Sequence, residues 1–514
     1  MDKLRRFAAK HDIKIALIII ITGAALRLLF IGSFPPGLNQ DEASAGYEAW
    51  SLLHYGTDRN GCSWPVLFAA WGSGQNVLYS YLSLPFIALF GLNETSLRLL
   101  MGLTGSITLV VFWLTARNIR DRAFALWALL VLAVNPWHIQ ACRWALESNL
   151  LPFMLLLGIY FITLTDKKSY MLIISAAVFA FSLYAYGTAF IFLPFFLIFA
   201  SIILYKRKTV RLHTYIAALC VFIIISLPIA LCNLRNILGY NELKILGTTL
   251  PKLTSTRQSA VTIFGAGGLT SAFDNFKGFL RILIYQNDGL PWNSAGVFGL
   301  LYGPAGLLLS LLGLIRYIIS LIKKTAAKSE AYIFAALISS FLASFFIEPN
   351  INRMNMAFIP LIWYQAEGIA FLISIRKWAA PAIAAAFLLA AVLFTRYYYT
   401  EYADIIAPYF HKGLGAAIKY ADMLDNDGFW ITYDVNMPYI YALFYTRYPT
   451  DEFTDTVQYQ NPGGAFRWVT SFGKEKTYSF GSVPPEATIC IVEARDAGDM
   501  EVLAVYGNYA VVKS

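Results

Sequence analysis

Residues 13–50 read IKIALIIIITGAALRLLFIGSFPPGLNQDEASAGYEAW. Ile13–Phe34 is apolar over a length that crosses a bilayer as a helix, for which about 20 residues suffice. The run follows Lys3, Arg5, Arg6, Lys10 and Lys14 and lacks a small-residue cleavage site, so it is expected to be a retained signal anchor. Pro35, Pro36 and Gly37 stop that helix, and Asp41 and Glu42 follow at once. Two adjacent carboxylates at a membrane face are costly to place and suggest function. The plainer alternative is that they open a surface helix, whose first turn favours acidic side chains.

The rest of the chain extends this pattern. Of 514 residues, 58% are hydrophobic and 14% charged, against roughly 45–50% and about 25% in soluble proteins. An α-helical polytopic membrane protein is expected, with spans near 13–34, 97–116, 123–138, 149–165, 169–186, 188–205, 212–231, 297–322, 331–347, 355–374 and 378–396. The connectors Arg117/Arg120/Arg122, Lys167/Lys168, Lys206/Arg207/Lys208/Arg211, Lys323/Lys324/Lys328 and Arg376/Lys377 are basic. With the N-terminus inside, all of them fall on the cytoplasmic side, as the positive-inside rule requires. Counting the apolar stretch 76–91 as a span would turn them all outward, so this Pro85-containing run is predicted to be an outer juxtamembrane helix. About eleven spans result. The net charge of +9 is distributed over these connectors, which argues against a nucleic-acid partner. The five cysteines show no C-x-x-C spacing, so neither a zinc site nor a disulfide framework is expected.

Residues 1–12 are then a cytoplasmic N-terminus, 13–396 the membrane domain with outer loops at 35–96 and 232–296, and 397–514 a small extracytoplasmic α/β domain. Within that tail, strands are predicted at Gly428–Val435, Thr488–Glu493 and Glu501–Val512, and an amphipathic helix around Leu414–Leu424. No internal repeat is evident, which argues against an inverted-repeat transporter.

Polar groups gather at the outer helix ends. In NPWHIQACRWALESN (135–149), Arg143 and Glu147 are four apart and would share a face if helical. Their bland reading is an ion pair, and that of His138 is packing. Arg353 follows Glu348 at another outer end, where it could simply snorkel. Arg27 lies inside the first span and is expected to meet a carboxylate or an anionic ligand. Tyr184 and Tyr186 occupy an aromatic-belt position. Carboxylates and arginines at one depth suit a phosphate-bearing lipid beside a polar acceptor.

PPGLNQDEASAGYEAW, DRNGCSWPVLFAAWGSGQNVLYSYL, ETSLRLLMG, NPWHIQACRWALESNLLP, YAYGTAF and INRMNMAFIPL resemble the dolichyl-phosphate-mannose–protein mannosyltransferases of glycosyltransferase family 39. They also resemble the bacterial relatives of that family that use undecaprenyl-phosphate sugars. The resemblance spans roughly residues 13–375. It implies a GT-C fold, a polyprenyl-phosphate-linked donor, inversion at the anomeric carbon and an extracytoplasmic active site. By the same resemblance, Asp41 and Glu42 would be catalytic. Arg143, Glu147 and Arg353 would bind the donor's phosphate and sugar; Arg27 and Tyr184 are added to that set by their place at outer helix ends and not by the resemblance. No cofactor is required and no metal ligand is assigned, although hard carboxylates at Asp41 and Glu147 would accept a divalent ion. The implied enzyme is a hexosyl- or pentosyltransferase of a bacterial plasma membrane, with a hydroxyl-bearing acceptor on protein, lipid or envelope polymer. The main alternative is a flippase that moves a lipid-linked sugar without cleaving it.

Overall fold

The computed structural model describes residues 2–256, 262, 268–424, 427–486 and 488–514. Helices stand at all eleven expected span positions. Among the described residues, six helices are long and apolar enough to cross a membrane: Glu94–Ile119, Ala189–Arg207, Leu212–Ile237, Gly296–Ile322, Asn355–Ile375 and Ala379–Tyr399. Shorter apolar helices, among them Arg122–Ala133 and Met171–Ser182, pack between them.

Ion pairs show that the basic connectors share one end of this bundle. Arg117 pairs with Asp12 at 3.2 Å, and Arg120 bridges Glu330 and Glu367. Arg207 holds Asp166 and donates to Ser329 at 2.9 Å. Six segments that are distant in sequence are thereby stitched together on the side where sequence patterning places the cytoplasm.

The opposite end is built by α1 (Asp2–Leu28), α2 (Gln40–Tyr55), α3 (Leu78–Phe90), α4 (Glu94–Ile119) and the tail. Helix α3 does not cross. The amide of Leu78 at its start donates to Tyr184 O, and Arg447 of the tail donates to Leu92 O just past its end, so both termini lie at this end. In the loop 232–296, β1 (Leu243–Ile245) and β2 (Thr248–Leu250) form a short hairpin.

The tail carries seven strands: β3 (Gly428–Thr432), β4 (Gln458–Tyr459), β5 (Val469–Phe472), β6 (Thr477–Gly481), β7 (Ile489–Glu493), β8 (Glu501–Tyr506) and β9 (Tyr509–Lys513), in the order β4-β5-β6-β3-β7-β9-β8. Strand β3 runs parallel to β6 and β7, and the outer pairs are antiparallel. The amphipathic helix Leu414–Leu424 is present. The single strand predicted over Glu501–Val512 is a hairpin turning at Gly507 (φ +57°). Strands β4, β5 and β6 were not expected from the sequence. The tail sits directly on α2: Tyr47 Oη donates to Tyr448 O at 2.6 Å, and the Ser51 and Thr450 hydroxyls meet at 2.7 Å. A Cβ on Gly46 would lie 2.7 Å from the Phe444 ring, so glycine permits this approach.

Candidate active site

The site begins with the end of α1. A helix leaves its last carbonyls without partners, and the amides of Leu29 and Ile31 take up only part of them here. Two buried arginines, one on α4 and one in the turn after the helix Pro136–Ala141, bond further carbonyls of residues 26–37. Arg98 of α4 donates to Pro35 O (2.7 Å), Gly37 O (2.6 Å) and Ile31 O (3.4 Å). Arg143 donates to Leu26 O (2.9 Å), Leu29 O (2.8 Å) and Phe34 O (3.3 Å), and its guanidinium lies over the rings of Tyr398 and Tyr399.

Helix α2 then starts with a capping box. Asn39 accepts from the Asp41 amide at 3.0 Å while Glu42 accepts from the Asn39 amide at 3.1 Å. The reading of Asp41 and Glu42 as the first turn of a helix is therefore correct as local structure, but their fates differ. Glu42 is fully buried. Its two oxygens accept four bonds, a bidentate pair with Arg98 at 2.8 Å, the Ala145 amide at 2.7 Å and the Asn39 amide. A carboxylate has about four acceptor sites, so Glu42 has none left for a substrate. These bonds suit Glu42 to holding its neighbours in place. Asp41 stays half-buried and is held through its backbone, where Gln75 Nε2 donates to its carbonyl at 3.4 Å.

Asp41 and Glu147 flank a single dipeptide. Gln75 touches the Asp41 segment, and the next amide, of Asn76, donates to Glu147 Oε2 at 2.8 Å. Asn355 Nδ2 donates to Ser148 O at 2.7 Å, which brings the turn bearing Arg353 beside Glu147. Arg353 keeps 18% of its side chain exposed and pairs with the more exposed Glu348 at 2.7 Å. These three sequence-predicted residues thus share one end of the bundle.

The other three are committed elsewhere. The helix Pro136–Ala141 stops before Arg143, so Arg143 and Glu147 do not share a helical face. Arg143 donates to the carbonyls of Leu26, Leu29 and Phe34. Arg27 donates to Gly23 O, Ala133 O, Leu132 O and His138 Nδ1, which makes it a clamp between helices. Tyr184 donates to Ile225 O at 2.7 Å. Arg98 was missed by the sequence reading. The signal was present, since it is a lone arginine in the apolar run Leu97–Met101, the same anomaly that drew attention to Arg27. Among the described residues, no three His, Cys, Asp or Glu side chains converge as a metal site would need.

A buried acidic pair, Glu48 near the middle of α2 and Asp58 just past its end, lies further along. Burial raises the Asp58 carboxyl to about 8, and the neighbouring Glu48 adds to the shift. Glu48 is itself raised by burial. Between the ordinary aspartate pKa near 4 and this value, the unfolded chain ionises while the folded one keeps its proton, so stability falls as pH rises through that window. An asparagine in place of Asp58 would still accept the Asn60 and Cys62 amides, which bond Oδ1 at 2.9 Å. Asp58→Asn is therefore expected to flatten the decline in melting midpoint between pH 5 and 8, followed by tryptophan fluorescence. Parallel declines in both proteins would refute this.

The model of the family described as dolichyl-phosphate-mannose-protein mannosyltransferase matches residues 75–230. ArnT from Cupriavidus metallidurans in the apo state superposes with TM-score 0.55 over 98% of each chain at 14% identity. Its undecaprenyl-phosphate-bound form gives 0.56 over 96% of this chain and 97% of that one, also at 14% identity. The chain has the GT-C fold. The Archaeoglobus fulgidus oligosaccharyltransferase, in complex with Zn and sulfate, shares it at TM-score 0.53 and 13% identity, over 84% of this chain and 61% of that one. No curated protein matches in sequence. On this GT-C frame, the end bearing Asp41 is the one away from the basic connectors. An apolar cavity of about 460 Å³ lined by Leu172, Leu204 and Tyr215 lies at the other end, remote from Asp41.

Proposed function

We propose that the protein transfers a hexosyl or pentosyl group from a polyprenyl-phosphate donor to an acceptor hydroxyl at the outer face of a bacterial plasma membrane, with inversion. The observation that carries this reading is the division of labour in the first turn of α2. Glu42 is saturated by four donors, while Asp41, beside it, stays half-exposed on a backbone held from both sides. Locking the neighbour positions Asp41 as a general base. The fold and the mannosyltransferase-type match over residues 75–230 support the same chemistry.

In the proposed reaction, Asp41 takes the acceptor's proton as its oxygen attacks the anomeric carbon. The bond from that carbon to the phosphate oxygen breaks, and polyprenyl phosphate leaves with the electron pair. Arg353, which also pairs with Glu348, is the cation assigned to the leaving phosphate, through charge-assisted bonds that strengthen as charge collects there. Glu147 orients sugar hydroxyls, and the tail, seated on α2, helps select the acceptor. No cofactor is required for this displacement. Carboxylates at Asp41 and Glu147 would be the residues to hold a divalent ion.

Incubating the reconstituted protein with labelled polyprenyl-phosphate sugar tests the reading. Release of free polyprenyl phosphate with the label on the acceptor is expected, whereas a flippase leaves the sugar–phosphate bond intact. Arg353→Ala is expected to raise the donor KM about 10- to 100-fold, as loss of a charged hydrogen bond would, and to leave the acceptor KM unchanged. Equal effects on both substrates would remove Arg353 from the donor site.

A further inference from the structure

A second polar cavity, of about 300 Å³, lies where the first outer loop, the loop 232–296 and the tail meet. Backbone pairing across the seam holds its walls: Gly72 bridges Phe466, the Arg467 amide donates to Trp71 O at 2.8 Å, and the Thr254 amide donates to Gly72 O at 2.9 Å. Gly72 has φ +115°, and a Cβ there would strike Thr254 and the Gly464 carbonyl, so the seam needs glycine.

Three of the residues that line this cavity carry buried donor atoms without partners. Arg59 is 1% exposed. Its Nη1 donates to Ser44 Oγ at 2.7 Å and lies 3.3 Å from Glu48, but its Nη2 is buried with no acceptor. Asn60 Nδ2 and Arg467 Nε are likewise buried without acceptors. The remaining bonds of Arg467 go to neutral atoms, Asn60 Oδ1 at 2.6 Å and Ala70 O at 3.3 Å. Lys252, exposed on the rim, bonds Asn241 Oδ1 at 2.9 Å. Among the described residues, neither Arg467 nor Lys252 makes an ion pair. Glu48 offsets the charge of Arg59, and Glu242 on the rim lies 3.7 Å from Lys244. A buried, unpaired donor costs about 1–3 kcal/mol, more when charged. Three that line one cavity are a cost that an anionic acceptor group would relieve. Aromatic faces fix the two guanidinium groups, Arg59 over Trp71 at 4.6 Å and Arg467 over Tyr459 at 4.9 Å.

We propose that this cavity is an oxyanion site that takes a phosphoryl group, free or borne on a sugar, between Arg59, Asn60, Arg467 and Lys252. Two guanidinium groups and a carboxamide match the several oxygens of a phosphate monoester. The rim is formed by exposed polar residues such as Glu242, Lys252 and Thr454, which suits a hydrated ligand and not a polyprenyl chain. The site also adjoins α2: Arg59 bonds Ser44, Ser44 donates to Gln75 Oε1 at 2.7 Å, and Gln75 reaches the Asp41 carbonyl.

The test uses the full-length protein in nanodiscs, titrated by calorimetry with inorganic phosphate and separately with glucose 1-phosphate. Saturable binding is expected, weakened at least tenfold in Arg467→Gln, whose melting midpoint without phosphate stays at the wild-type value. Tighter binding of the sugar phosphate assigns the site to a sugar-borne group, and equal binding assigns it to the free ion. Arg59→Gln serves as a second variant, but its pairing with Glu48 makes it the riskier one to fold. Absence of saturable binding by either probe, or binding undiminished in Arg467→Gln, overturns the proposal. So does stronger binding of dodecyl phosphate with the same dependence on Arg467, which would make the cavity the carrier-phosphate site.

Discussion

Asp41→Asn is expected to lower the turnover of sugar transfer by about 10²- to 10⁴-fold, the usual contribution of a positioned general base. The substitution is close to isosteric, and the bonds that place the residue in α2 run through its amide to Asn39 and its carbonyl to Gln75, both of which asparagine retains. Loss of a first-turn carboxylate costs the helix about 0.3–1 kcal/mol, too little to unfold it. Membrane insertion and melting midpoint should therefore stay near wild type while transfer collapses. The donor KM should stay within a few-fold, because Asp41 is assigned to the acceptor's proton and not to the phosphate. A single-turnover assay with labelled donor separates the two effects. Transfer within tenfold of wild type would remove Asp41 from the chemistry, and a fall in midpoint that tracks the fall in rate would make its role structural.

The positions of the long apolar helices, the non-crossing 76–91 segment and the start of a helix at Asp41 and Glu42 were legible because each depends on local pattern. Periodicity, charge bias and capping chemistry act within a few residues. What escaped depends on which distant atoms meet. Pro35, Pro36 and Gly37 announce that α1 ends, but not that Arg98 and Arg143 would take up its freed carbonyls. The four-residue spacing of Arg143 and Glu147 suggested a pair only on the premise of a helix, and the helix stops at Ala141. Strands β4 and β5 are two and four residues long, with glycine and proline between them, too short for alternation to show. The cluster of Arg59, Asn60 and Arg467 joins residues some four hundred positions apart, a separation invisible to any window along the chain.

The largest expected effect on folding comes from Glu42→Gln. Arg98 and Glu42 are both fully buried and bonded bidentately. Removing one charge of such a pair typically costs about 3–5 kcal/mol, because the other stays buried without compensation. Glutamine keeps the shape but turns one acceptor into a donor, which then faces the N–H groups of Arg98, Asn39 or Ala145. The expected result is a steep drop in melting midpoint and in the yield of folded protein, with transfer lost in proportion to folding. Glu42→Gln combined with Arg98→Met should recover part of the midpoint, since the stranded charge is gone. Recovery should be incomplete, because Pro35 O and Gly37 O lose their donors. A catalytic Glu42 makes the opposite forecast: the single variant would keep its wild-type midpoint and lose only turnover. Measuring midpoint and rate on the same three preparations decides between a residue that holds the site and one that performs its chemistry.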